Sequence, residues 1–386
     1  AGLAKPVKGG AVAAGSIHSL ALKMDGTIVA WGGSPGDVWG DGDPRLGQLT
    51  VPAGLTGVTA IAAGAYHSLA LKANGTVVAW GDNRYGQSDV PGLSGVKAVS
   101  GGTQHSLALT ADGTVVAWGD DFYGQTTVPS GLSGVVAIAA GGFHSLVLKA
   151  DGTVVAWGSD TNGQTDVPDG LTGVVAISAG SLHSLALKAD GTVVAWGGDF
   201  HGQAYVPAGL SNVVAISAGG LHSMALKADG TVVAWGDDFY HQSDVPDGLS
   251  DVMAISAGGT LSLALKSDGT VVAWGAGPED SDYYGQTDVP GDDRLSGLTV
   301  QEGDIDPTFS PSVADYTLDD LSVSSVHIKA TLADPTYAQL YVDDQPIASG
   351  NTATVSVSGA STVIPIRVEP YLKPPRTYTI TVHGDG

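Results

Sequence analysis

The chain has 386 residues, a net charge of −23 and no cysteine. The lack of cysteine excludes a disulfide framework, a thiolate zinc site and a cysteine nucleophile, and the negative charge argues against nucleic acid as a partner. With 43% hydrophobic residues the chain can bury a sizeable core, and its 57 glycines and 19 prolines indicate a fold rich in turns. No apolar run approaches the roughly 18 residues of a membrane span, so we expect no membrane insertion.

The motif Val-Val-Ala-Trp-Gly, or a near copy of it, recurs seven times. Its tryptophans are Trp31, Trp80, Trp118, Trp157, Trp196, Trp235 and Trp274, with spacings of 49, 38, 39, 39, 39 and 39 residues. Each unit contains three apolar runs of strand length. In the unit that begins at Val135, the runs contain Ile138, then Leu146 and Leu148, then Val154 to Trp157. The valine-rich composition favours strands over helices.

A two-residue turn separates the second and third runs of every unit. It is Asp-Gly six times and Asn74-Gly75 once, which predicts a hairpin with a type I′ turn. After Trp-Gly comes a polar loop, and then Gly-Gln-x-x-Val-Pro leads to the next unit. Seven such units predict an all-β fold, a seven-bladed β-propeller with short blades. A solenoid is the structural alternative, and the lack of polar capping repeats counts against it.

The units with HSLALK, DGTVVAWG and GQTDVP resemble repeats of the regulator-of-chromosome-condensation (RCC1) family over about residues 9–290. They resemble more closely the short bacterial form found in the propeller-type β-lactamase inhibitory protein. This resemblance implies a seven-bladed ring. The chain departs from the inhibitor because it starts with a copy of the first strand, Ala11 to Gly15, and the sequence leaves open how the ring closes.

The repeats stop at Gly291, which predicts a propeller over residues 1–294 and a second domain over 295–386. The second part has alternating runs at His327–Leu332, Ala353–Val357, Val363–Val368 and Tyr378–Val382, which are typical of a small β-sandwich. The segments around Phe309-Ser310-Pro311 and Tyr316-Thr317 resemble the cadherin-like β-sandwich modules of bacterial surface proteins.

The topology of an antiparallel blade places the Asp-Gly turns on one face of the ring. The connection between the first and second strands and the loop after Trp-Gly then lie on the opposite face. Among the seven copies the Asp-Gly face is nearly constant and the opposite face varies. Because exposed aromatic rings beside carboxylates are typical of binding surfaces, we expect the variable face to bind a partner. The candidate residues are Trp39, Tyr66, Asp82, Tyr85, Asp121, Phe122, Tyr123, Phe143, Asp199, Phe200, Asp238, Phe239, Tyr240, Tyr283 and Tyr284.

Other residue patterns are weaker candidates for chemistry. Six units carry His-Ser, with histidines His18, His67, His105, His144, His183 and His222, and the seventh has Leu261. A ring of six imidazoles could bind metal, and His-Ser could suggest a nucleophile, but both interpretations are weak. One copy per blade places the histidines far apart around the ring, and adjacent strand residues point to opposite faces, which disfavours a hydrogen bond within the pair. We interpret these histidines as framework. Paired aspartates such as Asp120-Asp121 could serve glycoside hydrolysis, but neighbouring carboxylates on a loop are usually only solvated. Asp37, Asp41 and Asp43 could hold Ca²⁺, but their spacing fits no EF-hand loop. We therefore expect no catalytic residue, metal or cofactor.

The sequence therefore predicts a non-enzymatic, exported bacterial binding protein, extracellular or on the cell surface, and monomeric. The resemblance to the inhibitor implies a protein partner contacted by the variable loops, while inhibition of a β-lactamase depends on loop identities that the family does not fix. The alternative is a glycan-binding module that uses the same rings as stacking platforms. Hydrolase activity is a distant third interpretation, and nucleotide exchange, the activity of eukaryotic relatives, is the least favoured.

Overall fold

The computed structural model describes residues 11–23, 25–33, 47–281, 284–291, 293–321, 323–335 and 338–384. The chain divides into two compact units, Ala1–Asp288 and Val289–Gly386. The described residues form strands, turns and one short 3-10 turn at Gly47–Leu49, with no α-helix. Across the described ranges, no helix is long and apolar enough to cross a membrane.

Seven three-stranded antiparallel sheets, the blades, follow one another in the described part of the first unit. Blades 1 to 4 comprise β1 (Ala11–Ala14), β2 (His18–Leu22) and β3 (Ile28–Gly32); β4 (Val58–Ala63), β5 (His67–Lys72) and β6 (Val77–Gly81); β7 (Val96–Gly101), β8 (His105–Thr110) and β9 (Val115–Gly119); and β10 (Val135–Ala140), β11 (His144–Lys149) and β12 (Val154–Gly158). Blades 5 to 7 comprise β13 (Val174–Ala179), β14 (His183–Lys188) and β15 (Val193–Gly197); β16 (Val213–Ala218), β17 (His222–Lys227) and β18 (Val232–Gly236); and β19 (Val252–Ala257), β20 (Leu261–Lys266) and β21 (Val271–Gly275). The prediction of a seven-bladed propeller is confirmed.

The core of the propeller lies between neighbouring blades. In blade 2, Leu69 and Leu71 are 0% and 4% exposed and pack against Ala108 and Trp118 of blade 3. The small Ala70, also fully buried, faces blade 1. Because both faces of a blade are covered, its middle strand is apolar on both sides instead of alternating with charged residues. Large side chains on one blade thus meet small ones and a tryptophan on the next.

The turn between the second and third strands differs from the predicted type. In blade 2 the amide of Gly75 donates to the Lys72 carbonyl at 2.9 Å, and the amide of Lys72 donates to the Thr76 carbonyl at 2.9 Å. Gly75 has φ +79°, whereas Asn74 is not in the left-handed region. The turn is therefore a three-residue loop, a type I turn followed by a left-handed glycine. The prediction of a two-residue type I′ turn is wrong, because the Asn74 side chain accepts the Thr76 amide at 3.1 Å and needs no positive φ to do so.

The ring closes directly between blade 7 and blade 1. Around the axis, one backbone amide per blade donates to a carbonyl of the following blade at 2.8 to 3.2 Å; the donors are Ser16, Ala65, Thr103, Gly142, Ser181, Gly220 and Gly259. The last bond of this circle joins the Gly259 amide to the Gly15 carbonyl. Across the same seam the Ala14 amide donates to Ser256 Oγ at 3.0 Å, and Trp31 Nε1 donates to the Gln286 carbonyl at 3.0 Å. Closure thus needs no exchanged terminal strand.

The second unit contains two described sheets. One has the order β22 (Leu295–Val300), β24 (Ser325–Leu332), β27 (Thr352–Ser356); the other has the order β23 (Asp315–Leu321), β29 (Arg376–Gly384), β28 (Ser361–Pro370), β25 (Ala338–Val342), β26 (Gln345–Ile347). Leu298 and Ile328 of the first sheet share one core with Ile364 and Ile380 of the second, as expected for a sandwich. The four predicted strands correspond to β24, β27, β28 and β29, and the unit boundary lies six residues before the predicted one.

Candidate binding face

One hydrogen bond per blade places the two variable segments side by side. The first residue after Trp-Gly donates its amide to a carbonyl in the connection between the first and second strands, at 2.7 to 2.9 Å. The donors are Gly33, Asp82, Asp120, Ser159, Gly198, Asp237 and Ala276. Both segments therefore lie at the same end of the blade, opposite the Asp-Gly turns. We call this end the loop face and the other end the turn face.

A buried glutamine fixes the loop in each of blades 2 to 7. In blade 2, Gln87 Oε1 accepts the Tyr85 amide at 2.9 Å and its Nε2 donates to Asp82 Oδ2 at 2.9 Å. Its backbone carbonyl accepts Ser106 Oγ and Trp118 Nε1 of blade 3, both at 2.9 Å. The glutamine, serine and tryptophan of the motif therefore connect each loop to the next blade. Because every polar group in this network is paired, the loop forms a rigid support for its variable residues.

Three phenylalanines occupy one equivalent loop position, three residues before the buried glutamine. Phe122, Phe200 and Phe239 are 82%, 74% and 76% exposed. Tyr85 and Tyr123, one position later, are exposed at 47% and 44%. Rings this exposed contribute little to folding. The prediction from the sequence that these five rings are exposed is confirmed.

Four of the remaining predicted aromatic residues are less accessible. Tyr66, Phe143, Tyr240 and Tyr284 are half-buried. The Tyr123 ring lies 5.4 Å from the Phe143 ring, and Phe239 meets Tyr240 edge-on at 4.8 Å. Phe143 and Tyr240 therefore support neighbouring exposed rings. Trp39 and Tyr283, together with Asp37, Asp41 and Asp43, lie outside the described residues.

The buried position of Asp82 contradicts its predicted role. It was expected to orient a partner, but its side chain is fully buried and bound by Arg84, whose Nε lies 2.8 Å from Oδ1. The hydrogen bond to Asp82 raises the pKa of Arg84. Because Arg84 and Gln87 both donate to the Asp82 carboxylate, it is part of the loop framework and does not face a partner.

The other three predicted aspartates are exposed and held in place. Asp121, Asp199 and Asp238 each accept the amide of the residue five positions later through Oδ1, at 2.8 to 3.0 Å. Burial tends to raise the pKa of Asp121, but hydrogen bonds from Thr126 and Thr127 outweigh it and leave the pKa lowered. Each carboxylate directly precedes one of the three exposed phenylalanines, so the structure brings Asp-Phe pairs to blades 3, 5 and 6.

Sequence reasoning missed Tyr205, which is 72% exposed on the blade 5 loop. It lies two residues after Gln203, where blades 2, 3, 4 and 6 have Asp or Thr. The comparison of copies could have found it, had it extended beyond the glutamine. Nearby, His201 Nδ1 lies 3.0 Å from Asp237 Oδ1 of the next blade, which links the loops of blades 5 and 6.

The six histidines of the His-Ser pairs are fully buried, and each binds across a blade interface. Their Nε2 atoms lie 2.9 to 3.1 Å from the serine Oγ of the following blade, for example His144 to Ser184. Because Ser184 Oγ donates to the Gln164 carbonyl, His144 Nε2 is the donor in their bond. Burial lowers the pKa of His67, His144 and His222 to about 4 and that of the other three to about 3.

The interpretation of these residues as framework agrees with this geometry, and the expectation that they hold no metal stays a prediction. Within the described ranges, one group of three ligand atoms lies close together: Asp238, His241 and Asp244, all exposed and within 4.8 Å of one another. The axial cavity is lined by small residues such as Ala14, Gly15 and Ser16 and their counterparts in other blades. Its described lining consists of alanine, glycine, serine and threonine, so it presents hydroxyl groups but no carboxylate, imidazole or amine.

The family comparison agrees with this architecture. The family model described as the Regulator of chromosome condensation (RCC1) repeat matches residues 58–87, 96–125, 135–164, 174–203 and 213–242. The chain contains RCC1 repeats. A second model, the Cadherin-like beta sandwich domain, matches residues 295–383, which confirms the nature of the second unit. No curated protein matches the chain in sequence.

Solved structures with the same propeller include Prp20p from Saccharomyces cerevisiae, described with its binding properties to Gsp1p and histones. It is 22% identical, with a TM-score of 0.54 over 70% of this chain and 83% of Prp20p. The ectodomain of the Arabidopsis thaliana receptor kinase ACR4 is 19% identical, with a TM-score of 0.55 over 70% of this chain and 97% of that one. The ectodomain of the Physcomitrella patens receptor kinase CR4 is 23% identical, with a TM-score of 0.54 over 69% and 73%. At identities below 25%, these three structures show that the propeller shares their fold. The resemblance to the β-lactamase inhibitory protein stays a prediction.

Proposed function

We propose that the loop face of the propeller is a protein-binding surface and that the protein acts by binding, without catalysis. The observation that carries this proposal is the exposure of Phe122, Phe200 and Phe239 at one equivalent loop position. A phenyl ring left in water forgoes about 1.5–3 kcal/mol of burial energy. Three such rings on loops that are held by a buried glutamine are aromatic anchors of the kind that dominate protein interfaces.

The rigidity of the loops supports a preorganised surface. Gln125, Gln203 and Gln242, which fix the three phenylalanine loops, are all buried, and each accepts the amide two residues before it at 2.9 Å. A surface that is ordered before binding loses less conformational entropy when the partner arrives. The binding of Gsp1p and histones by Prp20p supports the same role by analogy of fold. In this proposal the protein is exported by a bacterium, and an inhibitor-like role is one form that binding takes.

The test compares the wild type with the triple variant F122A/F200A/F239A and with the turn-face control T114S/T153S/T231S. Each protein is immobilised and exposed to soluble bacterial proteins and, in parallel, to a glycan array. We expect at least one protein that binds the wild type and the control with equal affinity and fails to bind the triple variant. Binding that survives the triple variant contradicts the proposal. Glycan binding that is lost in the triple variant, without any such protein, makes the face a glycan-binding surface instead.

A further inference from the structure

Charge is distributed unequally between the two ends of the propeller. Lysines lie beside the Asp-Gly turns on the turn face, and four of them pair with the turn aspartates at 3.1 to 3.5 Å; the pairs are Lys23–Asp25, Lys149–Asp151, Lys188–Asp190 and Lys227–Asp229. On the loop face, Arg84 is the one arginine or lysine in the described part of the propeller, and Asp82 neutralises it. Exposed carboxylates cover the same face: Asp89, Asp121, Asp160, Asp166, Asp199, Asp238 and Asp244.

The Asp-Phe pairs add a specific geometry to this charge. In blades 3, 5 and 6 an exposed ring directly follows a carboxylate whose Oδ1 is held by a backbone amide. A guanidinium or ammonium group is attracted both to the face of an aromatic ring and to a carboxylate. Since the amide fixes the carboxylate before binding, the pair offers both attractions at a set position.

We propose that the Asp-Phe pairs Asp121-Phe122, Asp199-Phe200 and Asp238-Phe239 recognise arginine or lysine side chains, so that the partner of the loop face is a basic protein surface. This inference rests on the proposed function and narrows it to one partner chemistry. The negative loop face attracts such a surface, and each ring then stacks with one cationic side chain while the neighbouring aspartate accepts its N–H groups. An acidic partner would be repelled by the three carboxylates, and a neutral partner would gain only hydrogen bonds from them.

The probe is a fluorescently labelled nona-arginine peptide, whose binding is followed by fluorescence anisotropy. The test variant D121N/D199N/D238N removes three charges but keeps an oxygen that can accept the backbone amide of each loop. Asn83 is the natural precedent, since it accepts the Ser88 amide at 2.9 Å at the equivalent position of blade 2. The matched control D151N/D190N/D229N removes three charges from the turn face, where Asn74 is the natural precedent. The variant F122L/F200L/F239L keeps apolar side chains but removes the aromatic faces.

We expect the loop-face Asn variant to weaken peptide binding at least tenfold and the Leu variant to weaken it several-fold. The turn-face control should stay within about twofold of the wild type. If the two Asn variants weaken peptide binding equally, net charge alone explains the binding and the inference is overturned. The inference is also overturned if the wild type does not bind the peptide. Suppose that a natural protein partner binds D121N/D199N/D238N as tightly as the wild type yet fails to bind F122A/F200A/F239A. That result would uphold the proposed function and overturn the inference that the partner surface is basic.

Discussion

Replacing His144 by leucine tests the buried histidine network, because its effect on stability should change sign with pH. Leu261 occupies the equivalent position of blade 7 and is fully buried, so leucine fits this environment. The change H144L removes the hydrogen bond to Ser184, which is 2.9 Å long, yet Ser184 still donates to the Gln164 carbonyl. With no polar group left unpaired, the loss is that of one net hydrogen bond, about 1 kcal/mol.

The pH dependence follows from the lowered pKa of His144. Burial lowers this pKa to about 4 from an ordinary value of 6.5, so the native state keeps the ring neutral while the unfolded chain binds a proton below pH 6.5. Stability from this group is therefore complete above pH 6.5 and is lost as the pH falls toward 4. At pH 5 the lowered pKa of His144 reduces the free energy of unfolding by the equivalent of about 1.5 pH units, or about 2 kcal/mol at 1.36 kcal/mol per unit.

H144L should thus be less stable than the wild type by about 1 kcal/mol at pH 8 and more stable by about 1 kcal/mol at pH 5. All eight tryptophans lie before residue 275, so tryptophan fluorescence during urea unfolding reports on the propeller alone. The other five histidines of the network are unchanged. His144 also lowers the pKa of His105 and His183, but burial is the larger cause and holds both pKa values at about 3, so these two rings stay neutral in the native state at both pH values. A stability difference between H144L and the wild type that is the same at both pH values would refute the reasoning.

Three further outcomes are expected. G152A should lower the free energy of unfolding by about 1–2 kcal/mol, measured by urea unfolding, because Gly152 has φ +82° in its turn; an unchanged value would contradict the turn assignment. H241G should raise it by about 0.5–1 kcal/mol in the same assay, because His241 has φ +60° where the described copies in blades 2 to 5 and 7 have glycine, and a loss would show that the histidine stabilises its loop. The association rate with a basic partner should fall as salt rises, because exposed charges are screened beyond ~8 Å, and a stopped-flow rate independent of salt would contradict a basic partner.

The fold could be predicted because the signals that determine it are local and repeated. The Trp-Gly motif, the strand-length apolar runs and an Asp-Gly or Asn-Gly turn recur in every unit, and the face that each loop occupies follows from antiparallel topology alone. The turn type was predicted wrongly because the sequence signal Asn74-Gly75 fits two hairpin geometries. They differ in whether Asn74 itself adopts positive φ, and its bond to the Thr76 amide favours the geometry in which it does not.

Side-chain burial in the loops depends on contacts that the sequence pattern does not show. Asp82 and Asp121 occupy similar acidic loops, yet Arg84 and Gln87 bury the first while backbone amides hold the second at the surface. Likewise, the argument against a hydrogen bond within each His-Ser pair gave no sign of the bond to the next blade, since that bond depends on how neighbouring blades are placed in the ring.

The most direct measurement of the central claim is the melting temperature and partner affinity of F122A/F200A/F239A, taken on the same preparation. If the three rings are exposed anchors, each substitution should lower the free energy of unfolding by no more than about 0.5 kcal/mol, so the melting temperature stays close to that of the wild type. Affinity should fall by about 2 kcal/mol or more per central ring. Packed rings would give the opposite pattern: a loss of about 3–5 kcal/mol of stability each, with the affinity of the remaining folded protein unchanged, would contradict the account.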